Sequence, residues 1–98
     1  MKIKQLEWTN GYDNVSRQKT KNALLFNLAN KHFYFNVQKS IKYPNWWSVA
    51  LEAALDKFPT ICQSSVLLNR LSTRKYAIEW AEQYQEELIK NIMERFVE

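Results

Sequence analysis

The segment from Ser72 to Val97 has the spacing of one long amphipathic helix, and it constrains the fold more than any other part of the chain. Its apolar side chains recur at intervals of three and four residues: Ala77, Trp80, Ala81, Tyr84, Leu88, Ile92 and Phe96. Charged residues cover the rest of the surface, and Glu86 with Lys90 forms an i,i+4 pair in the favourable order. Ser72 is a good N-cap, so we predict a C-terminal helix from about Ser72 to Val97.

Two apolar-rich runs between Asn22 and Gln38 predict a β-hairpin. They flank Asn30-Lys31, a dipeptide suited to a two-residue turn. A turn at this dipeptide brings large apolar side chains together on one face, in the pairs Leu28–Phe33, Phe26–Phe35 and Leu24–Val37. The opposite face, which includes Tyr34, is expected to be half-solvated.

Two further strands are predicted upstream of the hairpin, from Lys2 to Thr9 and from Val15 to Thr20. Residues 10–14, which join them, are dense in turn-forming side chains. Neither face of the second strand is strongly apolar, which predicts an edge strand whose lysines discourage unwanted pairing. The N-terminal half is therefore expected to form an antiparallel meander of three or four strands.

The pattern changes after Pro44. Asn45 is a good N-cap, and the apolar residues that follow fall on one helical stripe, which predicts a helix from Trp46 to about Lys57. The segment from Thr60 to Leu71 is compatible with a helix or a strand, with the helix favoured. The predicted fold class is therefore α+β, with three to four antiparallel strands packed against two to three helices in one domain of residues 1–98.

The composition excludes several kinds of active site. Gly11 is the only glycine, so a P-loop or Rossmann nucleotide site is excluded. Cys62 is the only cysteine, so an intramolecular disulfide and a cysteine metal cluster are excluded, and we expect a small buried side chain there. His32 is the only histidine and is expected on the surface. The chain is therefore expected to be a protein without catalytic residues, metal or cofactor.

The hydropathy pattern bears on location. No apolar run approaches the ~18 residues of a transmembrane helix, and Met1 to Trp8 lacks the apolar core of a signal peptide. We therefore expect a cytoplasmic protein that does not bind membranes.

Positive charge is concentrated in the N-terminal half. Residues 1–45 contain eight Lys and Arg against two acids, a net charge of +6, whereas residues 46–98 contain six against eight, a net charge of −2. A basic sheet that carries aromatic rings is typical of single-stranded nucleic-acid binders, because cations contact phosphates and rings stack on bases. The candidate residues for such a surface are Arg17, Lys19, Lys21 and Tyr34.

A second basic cluster lies at the start of the last helix. Arg70, Arg74 and Lys75 crowd a helix end that already attracts anions through its dipole. The placement favours binding of a phosphate or an acidic partner. The alternative is that these three side chains are solvated and bind nothing.

An aromatic cluster surrounds Pro44. Side chains of adjacent helical residues point about 100° apart, so Trp46 and Trp47 cannot enter the core equally. If Trp47 is buried, Trp46 and Tyr43 form an exposed anchor of the kind enriched in protein interfaces. The alternative is that Trp46 folds down over the sheet edge.

Two segments carry a resemblance to known proteins. The N-terminal run Ile3-Lys4-Gln5-Leu6-Glu7-Trp8 and the Ser72-capped helix rich in Ala, Tyr and Glu are similar to the two ends of a loose class of short phage and prophage proteins. This chain departs from that class in the predicted helix from Trp46 to Lys57 and in its basic segment from Arg70 to Lys75. The resemblance implies an accessory protein of a mobile element, in some cases an inhibitor of host defence such as a CRISPR nuclease.

Two functional hypotheses follow. The leading one is a non-enzymatic accessory protein or inhibitor, such as an anti-CRISPR protein, that binds a host protein or nucleoprotein complex. Its contact residues are Tyr43, Trp46, Arg70, Arg74 and Lys75. The alternative is a small nucleic-acid-binding protein that uses the basic sheet. The basic balance argues against mimicry of duplex DNA, which needs dense acidic charge. Homodimerisation through an edge strand or through the last helix is left open.

Overall fold

A computed structural model describes residues 5–59 and 61–96, with five strands followed by one helix. These elements are β1 (Trp8–Asp13), β2 (Gln18–Leu28), β3 (Lys31–Lys39), β4 (Trp47–Leu55), β5 (Cys62–Leu71) and α1 (Arg74–Phe96). Each strand pairs antiparallel with the next one along the chain, so the sheet order is β1-β2-β3-β4-β5. The α+β class is confirmed, with more strands and fewer helices than predicted.

The core lies between α1 and one face of the sheet. The sheet contributes Ala23, Phe35, Val37 and Val49, and the helix contributes Ala77, Ala81, Leu88 and Ile92. Ala77 and Ala81 are one turn apart and fully buried, so their small side chains let the helix approach the strands closely. No described element covers the opposite face, which we call the open face.

The predicted C-terminal helix is confirmed, with a different cap. The helix begins at Arg74, and the Thr73 hydroxyl accepts a hydrogen bond from the Tyr76 backbone N–H at 3.1 Å. Thr73 therefore takes the role predicted for Ser72. Val97 lies outside the described residues.

The predicted hairpin is present, but its turn lies one residue earlier, at Ala29-Asn30. Both residues have left-handed backbones, with φ of 51° and 63°, as a type I′ turn requires. Leu28 then pairs with Lys31, so the predicted apolar pairs are wrong. The earlier turn shifts the register of β2 against β3 relative to the predicted one. A bulge between Leu24 and Phe26 shifts it a second time, further from the turn.

The turn supplies a stability prediction. Ala29 has no side-chain group to offset its left-handed backbone, which costs a residue with a Cβ about 1–2 kcal/mol. Ala29→Gly is expected to raise the free energy of unfolding by about 1 kcal/mol in urea titrations. Asn30→Gly is the control and should gain less than about 0.5 kcal/mol, because asparagine tolerates this conformation. An unchanged midpoint for Ala29→Gly would contradict the turn geometry.

The predicted helix from Trp46 to Lys57 is wrong, and the ambiguous segment that follows it is a strand. Residues 47–55 form the interior strand β4, in which Val49, Ala50, Ala53 and Ala54 are all buried. A strand buried on both faces lacks the alternation that marks half-exposed strands, and its alanines and leucines also suit a helix. Residues 62–71 form β5, for which the helix was the favoured alternative.

The two predicted N-terminal strands are also displaced. Residues 1–4 lie outside the described part, and β1 runs through residues expected to form a turn. Gly11 explains this: a Cβ there would lie 2.3 Å from Asn22 Nδ2 and 2.7 Å from Thr20 Oγ1. The only glycine therefore serves close strand pairing rather than a turn. The predicted edge strand is wrong as well, because β2 pairs on both sides and Val15 lies in the turn before it.

Candidate functional site

Cations from distant parts of the sequence gather at one end of the sheet, which we call the basic end. In an antiparallel meander the β1–β2 turn, the β3–β4 loop and the β5–α1 link all lie at the same end. The cations there are Arg17, Lys19, Lys21, Lys39, Lys42, Arg70, Arg74 and Lys75. Strand pairing brings their segments side by side, because Lys21 of β2 pairs with Val37 of β3 and Lys39 of β3 pairs with Trp47 of β4. Positive charge from two separate segments of the sequence therefore lies at one end of the sheet.

A concave part of this surface, which we call the basic pocket, has a volume of about 920 Å³. It lies on the helix-bearing side, beside the start of α1. Its chemistry comes from four cations and two rings: Lys19, Lys21, Lys39, Arg74, Tyr12 and Trp47. The remaining lining includes Asn10 and Gln18, which are neutral hydrogen-bonding groups. The pocket therefore combines concentrated positive charge with aromatic surface.

The cations of the basic pocket have no carboxylate partner among the described residues. The contact between a basic and an acidic side chain found within 4 Å in that part of the chain joins His32 Nε2 to Asp56 Oδ1 at 3.0 Å, at the other end of the sheet. Lys21 Nζ donates a hydrogen bond to the neutral Asn10 Oδ1. Clustered like charges that lack ion-pair partners within 4 Å raise the local positive potential, so the pocket attracts anions.

The β3–β4 loop, residues 40–46, forms an aromatic rim next to the pocket, and we call it the aromatic loop. The Trp46 backbone N–H donates to the Tyr43 carbonyl at 2.9 Å, and the Ser40 N–H donates to the Trp46 carbonyl at 2.9 Å. The Ser40 hydroxyl accepts from the Tyr43 N–H at 3.2 Å. These bonds hold the loop closed while leaving Tyr43 44% and Trp46 46% exposed.

Tyr43 also joins the aromatic loop to the cations. The Arg70 guanidinium carbon lies 5.0 Å from the centre of the Tyr43 ring, and Lys42 Nζ lies 5.6 Å from it. Both distances are within the range of cation–π attraction. The ring is thereby held beside two positive charges.

The structure brings together most of the predicted site residues and separates two. Tyr43 contacts Arg70, while Lys19 and Lys21 share the basic pocket with Arg74. Trp46 and Lys75 are exposed at the same end. Arg17 lies in the adjacent turn and does not line the pocket, whereas Tyr34 lies on the open face.

Sequence reasoning missed three pocket residues: Tyr12, Lys39 and Trp47. Tyr12 had been assigned to a turn and Trp47 to the core stripe of a helix. Trp47 does pack against the core and is half-buried, but it also lines the pocket. Only the strand register places Lys39 beside it, so no local sequence signal identified this pair.

The open face holds a second groove of about 860 Å³, whose lining, among the described residues, contains the carboxylates of Glu7, Asp13 and Glu52 and no Lys or Arg. Tyr34 and Glu52 are paired across β3 and β4, and Cys62 also lines the groove. Burial raises the pKa of Tyr34 well above its ordinary range, and the negative charge of Glu52 adds to the shift. Tyr34 therefore stays protonated at neutral pH. The predicted burial of Cys62 is wrong, because this residue is exposed.

The environment of Cys62 predicts a slow thiol. The residue is exposed, but neighbouring groups partly desolvate its thiol; this desolvation raises the pKa of the Cys62 thiol, and the charge of Glu52 raises it further. Because the thiolate is the reactive form, Glu52→Gln should lower this pKa and speed alkylation by iodoacetamide at pH 8.5 by about two- to fivefold. Glu79→Gln removes an exposed helix carboxylate and is the control, with a rate equal to that of the unmodified sequence. Equal rates in both variants would contradict the assigned role of Glu52.

Comparison with protein-family models, curated proteins and solved structures finds no match to this chain. Among the described residues, no helix is long and apolar enough to span a membrane. The same part of the chain contains no group of three or more His, Cys, Asp or Glu arranged to hold a metal ion.

Proposed function

We propose that this protein binds single-stranded nucleic acid through its basic end. The basic pocket is the observation that carries the proposal, because its four cations lack described carboxylate partners and lie beside two aromatic rings. Lys and Arg in a groove contact phosphates, and neighbouring rings stack on bases. The proposal assigns binding and no catalytic step to this surface.

The shape and chemistry of the basic end favour an unpaired strand over a duplex. The described residues there present a concave pocket and a loop, rather than a protruding helix or ribbon that enters a major groove. The exposed rings of Tyr43 and Trp46 provide stacking surfaces that only unstacked bases can reach. A single strand can therefore use both the charge and the rings.

The test is a fluorescence anisotropy titration with a labelled single-stranded oligonucleotide and with its duplex. Affinity for the single strand should exceed that for the duplex. It should also fall with salt along a log–log slope of about −3, which corresponds to roughly four phosphate contacts at −0.7 each. Tryptophan fluorescence should be quenched on binding, because Trp47 lines the pocket. No binding at low salt, or an affinity that salt does not change, would remove the proposal.

The aromatic loop supports a second candidate function, which is binding to a protein partner. Ile41 is 64% exposed, so with Tyr43 and Trp46 it presents apolar surface on a hydrogen-bonded loop. Anchors in protein interfaces have this character. Trp46→Ala should then abolish capture of the partner, while the exposed control Val15→Ala retains it. That such a partner is a host protein, and that this chain is a phage accessory protein or inhibitor, stays a prediction.

A further inference from the structure

One long edge of the sheet is open to pairing with another strand. β5 has β4 as its only neighbour in the described sheet, and it is 10 residues long, against 6 for β1 at the opposite edge. The outer side of such a strand presents unpaired N–H and C=O groups. Proteins that stay monomeric usually protect long edges with lysines, prolines or strong bulges.

The outer edge of β5 lacks charged protection. Residues 58–69 contain no Asp, Glu, Lys or Arg, and they form the longest uncharged run of a chain in which 24% of residues are charged. Residues 61–67 are all exposed, and the apolar side chains in the middle of the strand, Val66 and Leu67, are 58% and 47% exposed. β5 is bulged against β4 at Gln63 and at Leu68, and the segment between them, Ser64 to Leu67, pairs regularly with β4. An exposed edge segment that is regular, neutral and partly apolar is well suited to strand pairing.

We infer that two copies of this chain pair through β5, antiparallel, about a two-fold axis at Val66. The two sheets then join into one continuous sheet with both helices on the same face. Val66 lies opposite Val66 of the second copy, and Leu67 lies opposite Ser65 of the second copy. The pairing is centred on the regular segment Ser64 to Leu67, and every residue from Gln63 to Asn69 is uncharged.

The two-fold arrangement also suits the charge of the molecule. Each copy carries a net charge of +4, and the basic end lies at the C-terminal end of β5. Antiparallel pairing at Val66 places Arg70 opposite Cys62 of the second copy. The two Arg70 backbones are then about 26 Å apart, at 3.3 Å per residue. This separation exceeds the screening length of about 8 Å at physiological salt, so the two basic ends do not repel each other strongly.

The inference is tested by measuring the mass in solution by sedimentation equilibrium at about 50 μM. The chain should have about twice its mass of 11.8 kDa. Val66→Lys should be a monomer, because it places two ammonium groups directly opposite each other across the axis. Val15→Lys adds the same charge at a position that is 89% exposed in the β1–β2 turn, and it should keep the dimer. A monomeric wild-type chain, or a dimeric Val66→Lys, would overturn the inference.

Mixing variants tests the register. Val66→Glu alone should also be monomeric, whereas an equimolar mixture of Val66→Lys and Val66→Glu should regain the dimer mass through a Lys–Glu pair across the axis. A mixture that stays monomeric while both variants are folded by circular dichroism would place the axis elsewhere and overturn the inference.

A cross-linking pair covers the case in which the charged variants fail to fold. Cys62→Ser/Val66→Cys should form a covalent dimer on mild oxidation, because self-paired residues lie within disulfide range. Cys62→Ser/Val15→Cys is the matched control and should stay a single chain. Equal cross-linking of the two variants would contradict pairing at Val66.

Discussion

Phe35→Ala is expected to lower the free energy of unfolding by about 3–5 kcal/mol. Phe35 has no exposed surface, and its ring stacks on Trp8 with 6.3 Å between the ring centroids. It lies on β3 between Ala23 of β2 and Leu51 of β4. Because domains of this size have total stabilities of about 5–15 kcal/mol, the loss is a large fraction of the whole.

Urea unfolding followed by circular dichroism and tryptophan fluorescence measures this effect. Leu24→Ala is the control, since Leu24 belongs to the open face and is 50% exposed. It should cost less than about 1 kcal/mol, because little apolar surface is lost from the interior. Equal losses in the two variants would contradict a core confined to the helix-bearing face.

The same one-sided core explains why α1 could be predicted from sequence. Only one stripe of α1 packs on the sheet, so Ala77, Ala81, Leu88 and Ile92 stand out at helical spacing against charged neighbours. The cap was less well determined. Ser72 and Thr73 are adjacent and both suit it, and the choice depends on where the chain leaves β5.

β4 could not be predicted because it has buried side chains on both of its faces. Val49 faces the helix and Ala54 lies on the open face, and neither has exposed surface. Without alternation, Trp47, Leu51 and Leu55 fall at a helical interval by coincidence. Pairing with the neighbouring strands determines the structure of this segment, and the local sequence does not indicate that pairing.

β5 was ambiguous for a different reason. Its irregular pairing with β4 between Val49 and Ala50 breaks the side-chain alternation around Leu68. Val66 and Leu67 are both exposed, so apolar character does not mark one buried face. A strand with a free outer edge packs against one neighbouring strand only. Its alternation of buried apolar and exposed polar side chains is therefore weaker.

Individual residues of the candidate site were predicted from sequence, but not their assembly into one pocket. Lys19 and Lys21 were assigned to a sheet surface and Arg74 to a helix start, because more than 50 residues of sequence separate them. The antiparallel meander returns each of these segments to the same end. Composition thus indicated the basic character of the surface, whereas its assembly into one pocket depends on long-range strand pairing.

Reversing two charges of the basic pocket tests the proposed function most directly. Lys19→Glu/Arg74→Glu should weaken binding of a single-stranded oligonucleotide by about two orders of magnitude at physiological salt. It should also make the log–log salt slope about 1.4 units shallower, because two phosphate contacts are lost. Lys19 is exposed, and a glutamate at the first residue of α1 interacts favourably with the helix dipole, so the variant should fold normally.

Lys31→Glu/Lys57→Glu provides the matched control, because it makes the same change in net charge at the opposite end of the sheet. Lys31 begins β3 and Lys57 follows β4, and both are exposed. At physiological salt the screening length of about 8 Å is shorter than the length of the strands, so this variant should keep its affinity within about threefold. An equal loss in both variants would mean that net charge attracts the nucleic acid without a defined site. Full affinity in the pocket variant would show that the phosphates bind elsewhere on the molecule.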